Sequence, residues 1–191
     1  MTSDEALMLQ FQGGSRAAFE ELFARYRKPL YGFFGRRLNN RERAEDLTQE
    51  TFLAVIRAVS RYEPRASLRT YLFGIALKLL AAERRKFLTN STSGQSAPEP
   101  KTGGTPECVL WVRQAMEKLD ATDREILMLR EYEQLSYSDI AELLRIPVNT
   151  VRSRLFRSRL ALKSYLESEA KTNPALRASP GQPHPGRRGV Q

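Results

Sequence analysis

Asn149, Thr150, Arg152, Ser153, Arg154 and Arg157 bring an amide, two hydroxyls and three guanidinium groups into one short stretch of chain. Such groups can read nucleic acid. Arginine pairs bidentately with guanine and asparagine with adenine, while hydroxyls and further cations hold phosphates. A second set, Arg57, Arg61, Tyr62, Arg65, Arg69 and Tyr71, interleaves cations with aromatics around Glu63-Pro64. Single strands are held by this chemistry: arginines follow the backbone and aromatic rings stack on bases. A third strip sets Asp46, Gln49, Glu50 and Arg57 around Leu53, a carboxylate–amide surface with an apolar centre that suits a protein partner.

The residues an enzyme would need are not assembled. The single histidine, His184, sits in a Pro/Gly-rich tail, and the single cysteine, Cys108, has no ligand set near it. Metal-assisted or nucleophilic catalysis needs a carboxylate cluster or an activated nucleophile. The chain therefore reads as a non-enzyme, with no catalytic residue, metal or cofactor. One cysteine cannot close an internal disulfide, which fits a reducing cytoplasm.

Helices must carry these groups. Leu135–Lys163 reads LSYSDIAELLRIPVNTVRSRLFRSRLALK: a short amphipathic helix, a tight turn at Arg145-Ile146-Pro147, and a longer basic helix. At about 100° per residue, Val148, Val151, Leu155 and Leu162 fall in one arc and should face a core. Asn149, Thr150, Ser153, Arg154 and Arg157 fall opposite, with Arg152 on the flank. This is the layout of a helix-turn-helix, whose second helix enters the major groove. On the third strip's helix the same wheel sets Leu47, Ala54, Val55, Ala58 and Val59 on the apolar side.

Helices are predicted over 4–12, 15–38, 41–62 and 67–87, then over 107–119, 123–132, 137–144 and 147–168. Pro29 should kink the second, and Pro147 suits a first helical turn. Thr122-x-x-Glu125 and Ser136-x-x-Asp139 have the form of capping boxes. No period-2 alternation is sustained, so the fold class is all-α. Two small helical domains are expected, an N-terminal bundle over 5–88 and a C-terminal helix-turn-helix domain over 107–170. A Ser/Thr/Gly/Pro stretch over 89–106 reads as a flexible linker and 171–191 as a disordered tail.

The formal net charge of the 191 residues is +9, and it is unevenly placed. Residues 1–88 carry 16 basic and 10 acidic side chains, hence +6, whereas 107–171 carry 11 of each. A basic excess points to a polyanion, either nucleic acid or an anionic membrane. The most apolar run, Tyr71–Ala82, contains Lys78 and is shorter than the roughly 20 residues a spanning helix needs. The N-terminus has neither a basic start nor an apolar stretch. A cytoplasmic protein without membrane insertion is expected.

Three motifs, AEDLTQETF at 44–52, LRTYLFGIA at 68–76 and LSYSDIAELLRIPVNTVRSRLFRSR at 135–159, resemble the extracytoplasmic-function branch of bacterial RNA polymerase sigma factors. The resemblance covers about 5–168. It implies a dissociable, promoter-directing subunit of core RNA polymerase, held in check by an anti-sigma factor. By position, Asp46, Gln49, Glu50 and Leu53 would meet the polymerase β′ clamp helices, and the second domain would meet the β flap. The loop Tyr62–Leu68 and its adjoining helix would capture a flipped base of the −10 element, with Arg61, Tyr62, Arg65, Ser67, Leu68, Arg69 and Lys78 at the DNA. Arg152, Ser153, Phe156 and Arg157 match −35 contacts, and Arg130 matches a phosphate contact; Asn149, Thr150 and Arg154 join them from the wheel.

Three positions depart from the family pattern. Lys78 stands where many members carry asparagine, Tyr71 replaces a tryptophan, and Arg145-Ile-Pro-Val-Asn149 replaces Gly-Ile-Pro-x-Gly. The alternative is a stand-alone helix-turn-helix regulator, which would bind duplex DNA without polymerase, usually as a dimer on half-sites.

Overall fold

The computed structural model describes residues 2–38, 40–91 and 107–172. His184, the side chain of Cys108, most of the expected linker and nearly all of the expected tail lie outside the described residues. Among those described there is no strand. The chain divides into two compact units, one taking in Met1–Lys101 and Met128–Arg152, the other Thr102–Leu127 and Ser153–Gln191.

In the first unit, α1 (Asp4–Gln12), α2 (Arg16–Gly35), α3 (Arg41–Ala58) and α4 (Leu68–Ser91) form a bundle. Short polar side chains start three of them: Ser3, Ser15 and Asn40 accept the backbone N–H of Ala6, Ala18 and Arg43 respectively. These caps satisfy amides that have no partner inside the helix. Gly14, at φ +96°, makes the reversal between α1 and α2, a conformation that glycine adopts without steric cost.

The bundle closes on aromatic side chains. Phe33 lies 5.1 Å from Phe34 and 5.4 Å from Phe73, centroid to centroid, and all three are fully buried. Met8, Leu30, Leu47, Leu68 and Leu80 are also fully buried. Phe11, Phe19, Phe23 and Phe52 form a second aromatic cluster. Thr48 and Thr51 are buried on α3, and each donates its hydroxyl to the carbonyl four residues earlier.

Several boundaries differ from the sequence expectation. α2 runs through Pro29 without breaking and ends at Gly35. The helix expected to reach 62 stops at Ala58, and Val59–Arg61 tightens into a 3₁₀ turn. α4 extends to Ser91, so the first three residues of the expected linker are helical. Within the segment Met128–Arg152, the buried Glu133 carboxylate accepts from Arg36 at 2.8 Å and Arg37 at 3.4 Å.

Along the rest of the chain lie α5 (Glu107–Glu117), α6 (Ala121–Glu131), α7 (Tyr137–Leu144) and α8 (Val148–Thr172). The N-cap of α6 is not Thr122. Asp120 Oδ2 accepts the Thr122 amide at 3.0 Å, and such backbone bonds hold its carboxyl below the ordinary aspartate range. At α7 the expected capping box is present: Ser136 and Asp139 bond each other's backbone amides at 3.1 and 3.0 Å. Arg124 caps α5, donating to the carbonyls of Met116 and Glu117.

Arg145 closes α7 in the left-handed region, φ 55° and ψ 46°. That conformation costs a side-chain-bearing residue about 1–2 kcal/mol, which explains the glycine in the family pattern. Pro147 lies just before α8, its carbonyl accepting from Thr150 and Val151. α8 continues to Thr172, past the expected end at 168 and into the first residues of the expected tail. Among the described residues, no helix is long and apolar enough to cross a membrane.

Candidate nucleic-acid interface

α8 sorts its side chains much as the wheel expects. Val151 and Leu155 are fully buried, with Val148 and Leu162 half-buried. Asn149, Arg152, Ser153 and Arg157 are exposed, and Thr150 is half-buried. Phe156 is 64% exposed, and Leu160, one turn further on, is 52% exposed. The exposed face starts in the first turn, where the helix dipole favours phosphate.

Two residues of the expected −35 set have other attachments. Arg154 donates to Asp123 at 2.8 Å and lies 3.5 Å from Asp120; those carboxylates hold its guanidinium more firmly protonated than usual. Arg130 donates to the Leu135 carbonyl at 2.7 Å and lies over the Tyr137 ring. Both guanidiniums are tied into their own units, so a phosphate must share them or displace their partners.

The loop between α3 and α4 borders an open cleft of about 740 Å³. Arg61, Arg65 and Lys78 line it and are exposed. Arg145 and Glu142 of α7 also line the cleft and are exposed, so four cations stand beside two carboxylates, with Arg65 paired to Glu63 at 2.6 Å; the cationic excess favours a phosphate backbone. Ser67 is exposed and starts α4, its Oγ accepting the Thr70 amide at 3.1 Å.

Other expected −10 residues turn inward. Tyr62 is 5% exposed, edge-on to Tyr71 at 5.3 Å, and its hydroxyl has no hydrogen-bond partner among the described residues. Burial pushes that phenol above its ordinary pKa, helped by Glu5 and Tyr71. In this conformation the ring cannot stack on a base; it would first have to swing out. Leu68 is buried in the core. Arg69 donates to the Glu133 carbonyl at 2.9 Å and lies over the rings of Tyr26 and Phe73.

The third strip lies on α3. Asp46 and Gln49 are exposed, Glu50 is half-buried, and Leu53 is 47% exposed. Ile56, 42% exposed, extends the apolar centre; its place three residues after Leu53, one helical turn on, was the signal for it. Arg43 organises the acidic side. It makes a two-pronged pair with Glu83 at 2.7 and 2.8 Å, and reaches Glu50 at 3.0 Å and Asp46 at 3.5 Å.

Arg43 draws the Glu83 carboxyl below the ordinary glutamate range. A depressed folded-state pKa stabilises above the unfolded pKa, and that contribution is lost as pH falls through the folded value. Glu83→Gln should therefore lower the melting temperature at neutral pH, and the gap from wild type should close on acidification. Thermal melts across the acid range check this; a gap that stays constant would contradict it.

Three hydrogen bonds, made by two side chains, gave no sequence signal. The Gln12 amide donates to the carbonyls of Val59 and Tyr62, and Glu5 accepts the Leu68 amide. Their partners lie 47, 50 and 63 residues away.

Comparison with known proteins fits this arrangement. Residues 22–86 match the family model for sigma-70 region 2, and residues 110–162 match that for sigma-70 region 4. The chain is 33% identical over 170 residues to the ECF RNA polymerase sigma factor SigC of Mycobacterium tuberculosis, covering 86% of this chain and 91% of that protein. It is 31% identical over 165 residues to the RNA polymerase sigma factor CarQ of Myxococcus xanthus, covering 83% and 95%. Its fold is similar to that of the sigma factor RpoE from Bartonella quintana, solved in complex with the anti-sigma factor NepR. There the TM-score is 0.64 at 23% identity, over 78% of this chain and 96% of that one. An exposed polar and cationic face on α8, a cationic cleft beside α4, both family regions in order and relatives matched over nearly their full length lead to one assignment: the chain belongs to the extracytoplasmic-function family of RNA polymerase sigma factors.

Proposed function

We propose that the chain carries core RNA polymerase to its promoters by gripping DNA in two chemically different ways. The exposed face of α8, with Asn149, Arg152, Ser153, Phe156 and Arg157, reads the −35 duplex. The cleft beside α4, with Arg61, Arg65 and Lys78, holds the −10 strand once its bases leave the stack. The α3 strip of Asp46, Gln49, Glu50, Leu53 and Ile56 docks on the β′ clamp helices, and the C-terminal module meets the β flap. Functional modules over 5–88 and 107–170, joined through 89–106, allow one chain to span both elements.

Unstacking a base costs a few kcal/mol. Binding energy from −35 contacts, polymerase docking and the cleft offsets that cost, so opening is driven by binding without nucleotide hydrolysis. An anti-sigma factor that covers the α3 strip or the α8 face would switch the chain off; the Bartonella relative seen with NepR supports this kind of control. The chain works in the cytoplasm, with the polymerase.

The observation that carries this reading is the presence on one chain of an exposed polar and cationic face on α8 and of a cleft lined by Arg61, Arg65, Lys78 and Arg145. Run-off transcription from a genomic promoter library, with permanganate mapping of −10 thymines, tests it. Specific transcripts and reactive thymines should require both core polymerase and this chain. Transcripts that core produces equally well alone would defeat the reading.

A further inference from the structure

We propose that α1 is a strut that sets the shape of the −10 loop, with Gln12 and Glu5 as its positioning residues. The inference rests on reading that loop as the −10 site. It assigns a role to a helix that lies before the matched region 2, which begins at residue 22.

Both ends of the loop are tied to this one helix. At the entrance, Gln12 Nε2 donates to the carbonyls of Val59 at 2.9 Å and Tyr62 at 3.1 Å. The Val59 carbonyl, which also accepts the Tyr62 amide within the 3₁₀ turn, and the Tyr62 carbonyl just past it are thus held by one side chain. At the exit, Glu5 Oε1 accepts the Leu68 amide at 3.0 Å. That amide is one of the unpaired donors at the start of α4, where a carboxylate also suits the helix dipole.

Residues 5 and 12 are seven apart, close to two turns, so their side chains leave the same face about 10 Å apart along the axis. The separation of the loop's two anchor points is thus set by a rigid helix. α1 is itself fixed. Leu7 and Met8 are buried, and Asp4 accepts from Tyr26 and Arg25 on α2.

The consequence falls on the cleft. Gln12 holds the Tyr62 carbonyl while the Tyr62 ring is buried against Tyr71, so the direction in which the chain leaves the 3₁₀ turn is determined. Arg61 and Arg65, on either side of that point, are held at the cleft wall. A site that must catch an unstacked base gains affinity when its walls are already in place. Preorganisation by α1 therefore should appear in −10 strand binding and not in polymerase docking, since the α3 strip makes none of these bonds.

The experiment uses the full chain with core polymerase. The probe is a fluorescent single-stranded oligonucleotide carrying the −10 region of a promoter that the wild-type holoenzyme transcribes. The variants are Glu5→Ala with Gln12→Ala, Glu5→Gln, which keeps an acceptor oxygen, and Arg65→Ala within the loop. The double alanine variant should bind the strand about tenfold more weakly, the factor equivalent to 1.4 kcal/mol. Its affinity for core and its helical circular dichroism should match wild type, and Glu5→Gln should keep most of the strand affinity. Wild-type strand affinity in the double variant, with a loss in Arg65→Ala, would reduce α1 to packing and overturn the proposal while leaving the −10 assignment intact. No loss in either would show that the loop is not the −10 site, and the strut would fall with it. A parallel fall in core and strand affinity would mark general unfolding, which also overturns a positioning role.

Discussion

Leu53→Asp should weaken binding to core polymerase by at least about 2 kcal/mol, the scale of an interface hot spot, or roughly 30-fold. Leu53 and Ile56 are the exposed apolar side chains of the α3 strip, with Gln49 and the Arg43-held carboxylates beside them. An aspartate there would be desolvated on docking without a partner, in a strip that is already acidic. Because Leu53 is half in solvent, the fold should be little affected; surface substitutions usually stay within about 0.5 kcal/mol. Titration of labelled core with wild type and variant measures the effect, and matched thermal melts separate it from unfolding. Equal affinities would move the docking surface off α3.

Arg157→Ala should cost about 1–3 kcal/mol of discrimination between cognate and scrambled −35 sequences, the value of a good bidentate base contact. Arg157 is exposed on the face that also presents Asn149 and Ser153. Arg154→Ala should cost less discrimination, because that guanidinium is paired with Asp123 on α6. Holoenzyme binding to promoter fragments that differ only at −35 measures both. Wild-type holoenzyme that binds cognate and scrambled fragments equally would refute the assignment of α8 as the reader.

Local signals carried the helix-turn-helix. The Ser136–Asp139 box and the arc of Val151 and Leu155 act over a few residues and lie where the pattern put them, while Pro147, expected in the first turn of α8, lies one residue ahead of it. The exposed side of α3 was legible for the same reason: Asp46, Gln49 and Leu53 repeat with the helical period. Long-range partners were not legible. Nothing near Arg154 in the chain announces Asp123, and nothing near Tyr62 announces that its ring packs against Tyr71 inside the bundle. The interleaving of arginine with tyrosine suggested a stacking ring; the Tyr62 ring is instead buried edge-on against the half-buried Tyr71 at the cleft. The end of α3 was misplaced by four residues: Val59–Arg61 tightens into a 3₁₀ turn, and the Val59 carbonyl there accepts from Gln12, a partner 47 residues earlier that no local pattern announces. The N-cap of α6 was assigned two residues late: Asp120, a charged acceptor, takes the Thr122 amide and starts the helix at Ala121.

The most direct test of dependence on polymerase is a fluorescence titration of one duplex promoter with the chain alone, core alone and the two together, with a scrambled duplex as control. Promoter-specific, salt-sensitive binding followed by −10 opening should occur only with both proteins present. Specific binding by the isolated chain, at the same affinity whether or not core is added, would contradict the account and favour a regulator that acts on duplex DNA alone.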